Sequence, residues 1–157
     1  MTQMPSLFHM RGKIFPLEIK EKFPFSTRKQ RLFGIDAGRI LMMLRVCLPL
    51  NCNAMYIIRE VDENGRKFLS WRMLTLDAIV MNSNWNLQAG GTGMGGGQTQ
   101  TVTFPYDIFE ELTVDTLSDD RLHVMSEFSE NIRRKATEFI KEVESLFNQS
   151  EHQKPIR

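Results

Sequence analysis

Apolar and polar positions change rhythm along this chain, and the change divides it into parts. From Met55 the pattern has a period of two: Met55-Tyr56-Ile57-Ile58-Arg59-Glu60-Val61, then Asp62-Glu63-Asn64-Gly65, then Lys67-Phe68-Leu69-Ser70-Trp71-Arg72-Met73-Leu74. Runs rich in Ile, Val, Phe and Trp suit a pleated surface. Asn-Gly tolerates positive φ at both positions of a tight turn, so the segment reads as a hairpin with Trp71 packed in the core. An apolar run follows, Leu76 to Ser83, then a glycine-rich excursion from Gly90 to Gly97. A closing strand, Thr99-Gln100-Thr101-Val102-Thr103-Phe104, leads into Pro105-Tyr106.

The last third has a different period. Leu122, Met125, Phe128, Ile132, Ala136, Phe139, Ile140, Val143 and Phe147 recur at steps of three and four, an apolar stripe on one helical face. Ser118 supplies a start, and Asp119 and Asp120 suit the positive end of the helix dipole. The pattern predicts a long helix from about Asp119 to Asn148, followed by a flexible polar tail over 149–157. Two roles stay open for it: a clamp across its own sheet, or a docking element for a partner.

The first fifty residues are less regular. Leu7 to Phe25 mixes β-formers with charges, and Pro16 and Pro24 interrupt it. Proline cannot donate to a sheet ladder, so this reads as an edge strand or an extended arm. Ser26 to Gly34 forms a basic loop with Arg28, Lys29 and Arg31. These are the candidate nucleic-acid contacts, although neither interleaved aromatics nor a reading helix accompanies them. Ile35 to Leu50 fits a helical face and a strand alternation alike; a strand over 41–48, ended by Pro49, is preferred here.

Composition narrows the class. Of 157 residues, 41% are hydrophobic and 25% charged, which is ordinary for one folded domain. The expected organisation is a β-rich core with an N-terminal arm over 1–117, the helix over 118–148 and the tail over 149–157. No apolar run reaches the roughly 20 residues that span a bilayer. A secretory leader is not expected, and two cysteines without a CxxC suit a reducing compartment. Net charge is +1, but residues 1–45 hold nine bases against three acids, leaving −5 for the rest. Between Tyr106 and Asp120 stand Asp107, Glu110, Glu111, Asp115, Asp119 and Asp120, with no base. Either these are two solvated faces, or opposite charges bring identical subunits together.

Recognisable catalytic patterns are missing. His9, His123 and His152 are far apart, and a metal site needs at least three convergent ligands, a pattern not recognisable here. Gly91, Gly93 and Gly96 match G-x-G-x-x-G, but a strand pattern follows them. A dinucleotide site needs a helix N-terminus there. No enzyme activity, cofactor or metal is expected.

The segment from Tyr56 to Leu112 resembles the contractile-tail tube proteins: bacteriophage tail tube proteins and the haemolysin-coregulated inner-tube proteins of type VI secretion. The residues that carry the likeness are Val61-Asp62-Glu63-Asn64-Gly65, Leu69-Ser70-Trp71-Arg72-Met73, Leu76-Asp77-Ala78-Ile79-Val80 and Thr101-Val102-Thr103-Phe104-Pro105-Tyr106. The resemblance implies an α+β fold: a small antiparallel β-barrel or sandwich, here with a long C-terminal α-helix. It implies a structural subunit of a phage tail or contractile injection machine, in the virion. The short, proline-interrupted first half and the added helix suggest a tube-end, baseplate or tail-completion component. Partners would be further copies in a ring, other tail proteins and DNA in passage. The assigned contact candidates are Phe15, Phe23, Phe25, Gly93, Gly95, Asp107, Glu110, Phe128, Phe139 and Val143. The alternative is a basic-armed nucleic-acid-binding accessory protein in the bacterial cytoplasm.

Overall fold

Asp62 builds the central turn. Its carboxylate accepts hydrogen bonds from the Gly65 N–H at 2.6 Å and the Lys67 N–H at 3.4 Å. Positive φ falls on Arg66 (52°), and Asn64 does not adopt it. The computed structural model describes the backbone of residues 6–10, 13–83, 88–92, 98–117 and 128–152. In chain order the elements are β1 (Ser6–Met10), β2 (Lys13–Lys22), β3 (Phe25–Ser26), β4 (Arg31–Asp36) and α1 (Ala37–Leu50). Then come β5 (Met55–Val61), β6 (Phe68–Thr75), α2 (Leu76–Asn82), β7 (Gln88–Thr92), β8 (Gln98–Pro105), β9 (Glu110–Glu111) and α3 (Glu130–His152).

Two open sheets result, ordered β1-β2-β5-β6-β9 and β3-β4-β8-β7. The fold is α+β with a long C-terminal helix, as expected. The barrel is not: among the described residues both sheets end in edge strands, and neither closes on itself. β2 also departs from expectation. It lies inside its sheet, antiparallel to β1 and parallel to β5. Pairing with β5 begins only at Leu17, so Pro16 stands outside the doubly paired stretch, where its missing N–H is tolerated.

Residues 37–50 are helix, not strand. The Asp36 carboxylate caps α1 by accepting from the Gly38 N–H at 2.7 Å. Ala37, Ile40, Leu41, Met43, Leu44 and Cys47 are buried along one side. At the other end Asn51 adopts φ 49°, and its N–H reaches the carbonyls of Cys47 and Leu48. Residues 118–127 lie outside the described set, so the expected helix start at Ser118 and Asp119 does too. Phe128 and Ser129 are not helical, and α3 continues to His152, into the expected tail.

α3 packs on α1 and α2 of its own chain. Arg133 donates to the Leu48 carbonyl at 3.2 Å and to Asn51 Oδ1 at 2.9 Å, which places a cation at the negative end of α1. Arg45 and Glu144 form an ion pair across the same seam. One core joins Phe33, Ile35, Tyr56, Ile58, Val102 and Phe104 of the sheets to all three helices. The helix and the β-rich part therefore share a single interior. Among the described residues, no helix is long and apolar enough to cross a membrane.

Candidate functional site

Strand register gathers charge on the inner face of the five-stranded sheet. Lys22 pairs with Glu60, Glu60 with Ser70, and Ile58 with Arg72, so alternate side chains of β2, β5 and β6 point the same way. Glu60 is only 3% exposed. Its Oε1 accepts from the Ser70 hydroxyl at 2.7 Å and from the Tyr106 hydroxyl at 2.7 Å. Arg72 lies 3.5 Å from the same oxygen and donates to Ser70 Oγ at 3.1 Å. A carboxylate this deeply placed needs such donors, because burying it unpaired would cost several kcal/mol.

Tyr106 comes from the other sheet, in a 3-10 turn directly after β8. Its ring stacks on Phe33 of β4 at 5.4 Å, and Phe33 meets Phe109 edge-on at 5.0 Å. Two guanidinium groups lie over the Tyr106 ring, Arg31 at 3.9 Å and Arg72 at 4.8 Å from its centroid. Partial burial, the hydrogen bond to Glu60 and the Glu60 charge together raise the Tyr106 pKa above its ordinary value, opposed by both arginines.

Lys22 borders this cluster. Burial and then the nearby Lys20 lower its pKa, and Asp36 partly restores it. Glu18 lies 3.5 Å from Lys20 and 3.7 Å from Arg39, so that carboxylate is already engaged. Lys22 itself makes no ion pair with any described residue.

In front of the cluster projects the β3–β4 hairpin. Thr27 Oγ1 accepts from the N–H groups of Lys29 (3.3 Å) and Gln30 (3.2 Å) and donates to the Gln30 carbonyl. This fixes the shape of the tip and leaves Arg28 and Lys29 in solvent. Neither they nor Arg31 has a carboxylate partner among the described residues. Phe25 pairs with Leu32 at the base of the hairpin and is 40% exposed.

The other candidates scatter. Phe15, Phe128, Phe139 and Val143 are buried within their own chain, so they hold the fold together and are not presented to a neighbour. Asp107 and Glu110 are exposed near the site, and Phe23 is exposed beyond β2. Gly93 and Gly95 lie outside the described residues. Gly90 and Gly91 belong to β7, antiparallel to β8, so no helix opens at the first glycines of that run. Trp71, expected in the core, is partly exposed on the outer face of its sheet. Among the described residues no three His, Cys, Asp or Glu side chains gather as a metal site.

Sequence reasoning singled out Arg28, Lys29 and Arg31 as candidates but not Lys22, Glu60, Arg72 and Tyr106. Those four stand on separate segments, and no spacing links them.

No protein-family model, no curated protein and no solved structure matches this chain. The tail, tail-tube and baseplate designation rested on residue pattern; the barrel it implied is replaced by two open sheets, and no matching family, protein or structure supports the designation.

Proposed function

We propose that this chain binds single-stranded nucleic acid along the β3–β4 hairpin and the cationic seam behind it. The supporting observation is a run of cations without direct ion pairs. Arg28, Lys29, Arg31 and Lys22 lack carboxylate partners among the described residues, and Arg31 shares one tyrosine ring with Arg72. Arg31 and Arg72 over one ring, and Lys22 beside Lys20, repel each other, and a phosphate entering there relieves that cost. Stacking on Tyr106 fixes the plane of the Arg31 guanidinium, whose N–H edges can then meet a phosphate in a two-pronged contact. Phe23 and Phe25, next to these charges in sequence, are exposed rings on which unpaired bases can stack, Phe25 on the Leu32 and Gly34 face of the hairpin, opposite Arg31. Phosphate contacts carry no sequence information, so binding along this seam would depend little on base sequence.

Fluorescence anisotropy with a labelled oligothymidylate, titrated across salt concentrations, tests the reading. The wild-type chain should bind with affinity that falls as salt rises. Neutralising Arg28, Lys29 and Arg31 to Gln together should flatten the log–log slope by about 2, at about 0.7 for each phosphate no longer neutralised. Failure of the wild-type chain to bind, or binding indifferent to salt, would sink it.

A further inference from the structure

On the outer face of the five-stranded sheet, Ile19, Phe68, Leu69 and Trp71 are 51%, 48%, 56% and 37% exposed. Ile19 pairs with Ile57, and Glu21, Arg59 and Trp71 follow one another across β2, β5 and β6. The Phe68 and Trp71 rings meet at 5.8 Å, and the Arg59 guanidinium lies 5.3 Å from the centre of the Phe68 ring. Farther along the same face Phe15, Met55, Ile57 and Met73 are buried. The apolar surface is therefore continuous, and only this end of it is open to solvent. Among the described residues the adjoining edge is only lightly paired as well. β9 pairs with β6 at Arg72 and Met73 alone, with one further bond from the Leu112 N–H to the Trp71 carbonyl at 2.8 Å.

Clustered exposed apolar side chains of this kind mark contact surfaces, and Trp and Arg are the types that dominate them. The charges on the patch indicate the occupant. Beside the apolar side chains stand one acid and one base, Glu21 and Arg59, 3.3 Å apart and both partly exposed. A strongly acidic or basic partner would gain nothing from a balanced pair. A second copy, turned by a two-fold axis through the patch, sets Arg59 against the partner's Glu21 and Glu21 against the partner's Arg59.

We propose that this face is a homodimer interface, in which two reciprocal Glu21–Arg59 ion pairs frame an apolar centre of Ile19, Phe68, Leu69 and Trp71. It lies on the opposite side of the sheet from the cationic seam and stands independently of nucleic-acid binding. Sedimentation equilibrium from micromolar concentrations upward should give the wild-type chain twice its mass of 18.3 kDa. Glu21→Arg and Arg59→Glu each turn both reciprocal ion pairs into like-charge pairs and should each yield monomers. Circular dichroism of each variant controls for loss of fold. An equimolar mixture of the two variants brings a doubly basic patch to a doubly acidic one and should restore the dimer. A monomeric wild-type chain overturns the proposal and leaves the face to a partner of other sequence. Single variants that remain dimeric, or folded variants whose mixture stays monomeric, overturn it equally.

Discussion

Tyr106 donates its hydroxyl to Oε1 of Glu60 at 2.7 Å, across forty-six positions of sequence. Glu60 belongs to the five-stranded sheet, and Tyr106 follows the last long strand of the other. The bond therefore ties the two sheets together at the point where Arg31 and Arg72 converge. Tyr106→Phe keeps the ring and both cation contacts but leaves a nearly buried carboxylate short of one donor. Urea unfolding should report a loss of about 1–3 kcal/mol with an unchanged m-value. An unaltered midpoint would mean that the bond contributes nothing.

Alkaline pH should weaken the fold through its tyrosines. Burial first, then Glu18 and Asp36, push the Tyr56 hydroxyl well above its ordinary value of 10.0; Tyr106 is raised as well. Above about pH 10 the unfolded chain releases tyrosine protons that the folded chain keeps. The unfolded state then binds fewer protons, and stability falls as pH rises. The contribution is fully present below that range. Lys22 has the opposite sign: its folded pKa is lowered, so the unfolded chain holds that proton longer and stability gains over the same interval. Urea midpoints at pH 9 and pH 11 should decline for the wild-type chain. Tyr56→Phe should decline less, and an equal slope would remove Tyr56 from the account.

Phe139 sits at the centre of the α3 contact, 1% exposed beside buried Ala136 and Val143. Phe139→Ala should cost about 3–5 kcal/mol in urea or thermal unfolding. Removing residues 128–157 uncovers α1 and α2 together, and the shortened chain should lose its cooperative transition by near-ultraviolet circular dichroism. A sharp transition in that fragment would contradict the shared core.

The two thiols should differ in reactivity. Cys47 is buried and Cys52 half-buried, and burial followed by the neighbouring Cys52 raises the Cys47 pKa far above its usual range. Since the thiolate is the reacting form, an aromatic disulfide reagent at neutral pH should modify one thiol of the folded chain and both in denaturant. Cys52→Ser should abolish the fast reaction. Persistence of the fast phase would assign it to Cys47.

Elements that depend on their own residues were legible in the sequence. The β5–β6 hairpin, the alternation in β8 and the apolar stripe of α3 all follow from local period. Ile35 to Leu50 was not, because Ile40, Leu41, Met43, Leu44 and Leu48 satisfy a helical face while their neighbours also alternate. Capping by Asp36 and burial against β4, β8 and α3 decided between the two. Pro16 pointed to a sheet edge; that β5 starts pairing one residue later is a tertiary fact. The candidate site was legible only in its exposed half. Arg28, Lys29 and Arg31 are neighbours in sequence, whereas Glu60, Ser70, Arg72 and Tyr106 meet only once two sheets have assembled.

Parallel pairing of β2 with β5 has a kinetic consequence. The hairpin of β5 and β6 closes over a handful of residues, but β2 cannot join it until β3, β4 and α1 have crossed from one strand to the next. Contacts so distant along the chain form late, because the loop entropy must be spent before they return anything. During synthesis, β1 and β2 therefore leave the ribosome as a ribbon with one side unmatched. They wait for a strand that emerges more than thirty residues later. That interval is when the nascent chain is most open to mispairing.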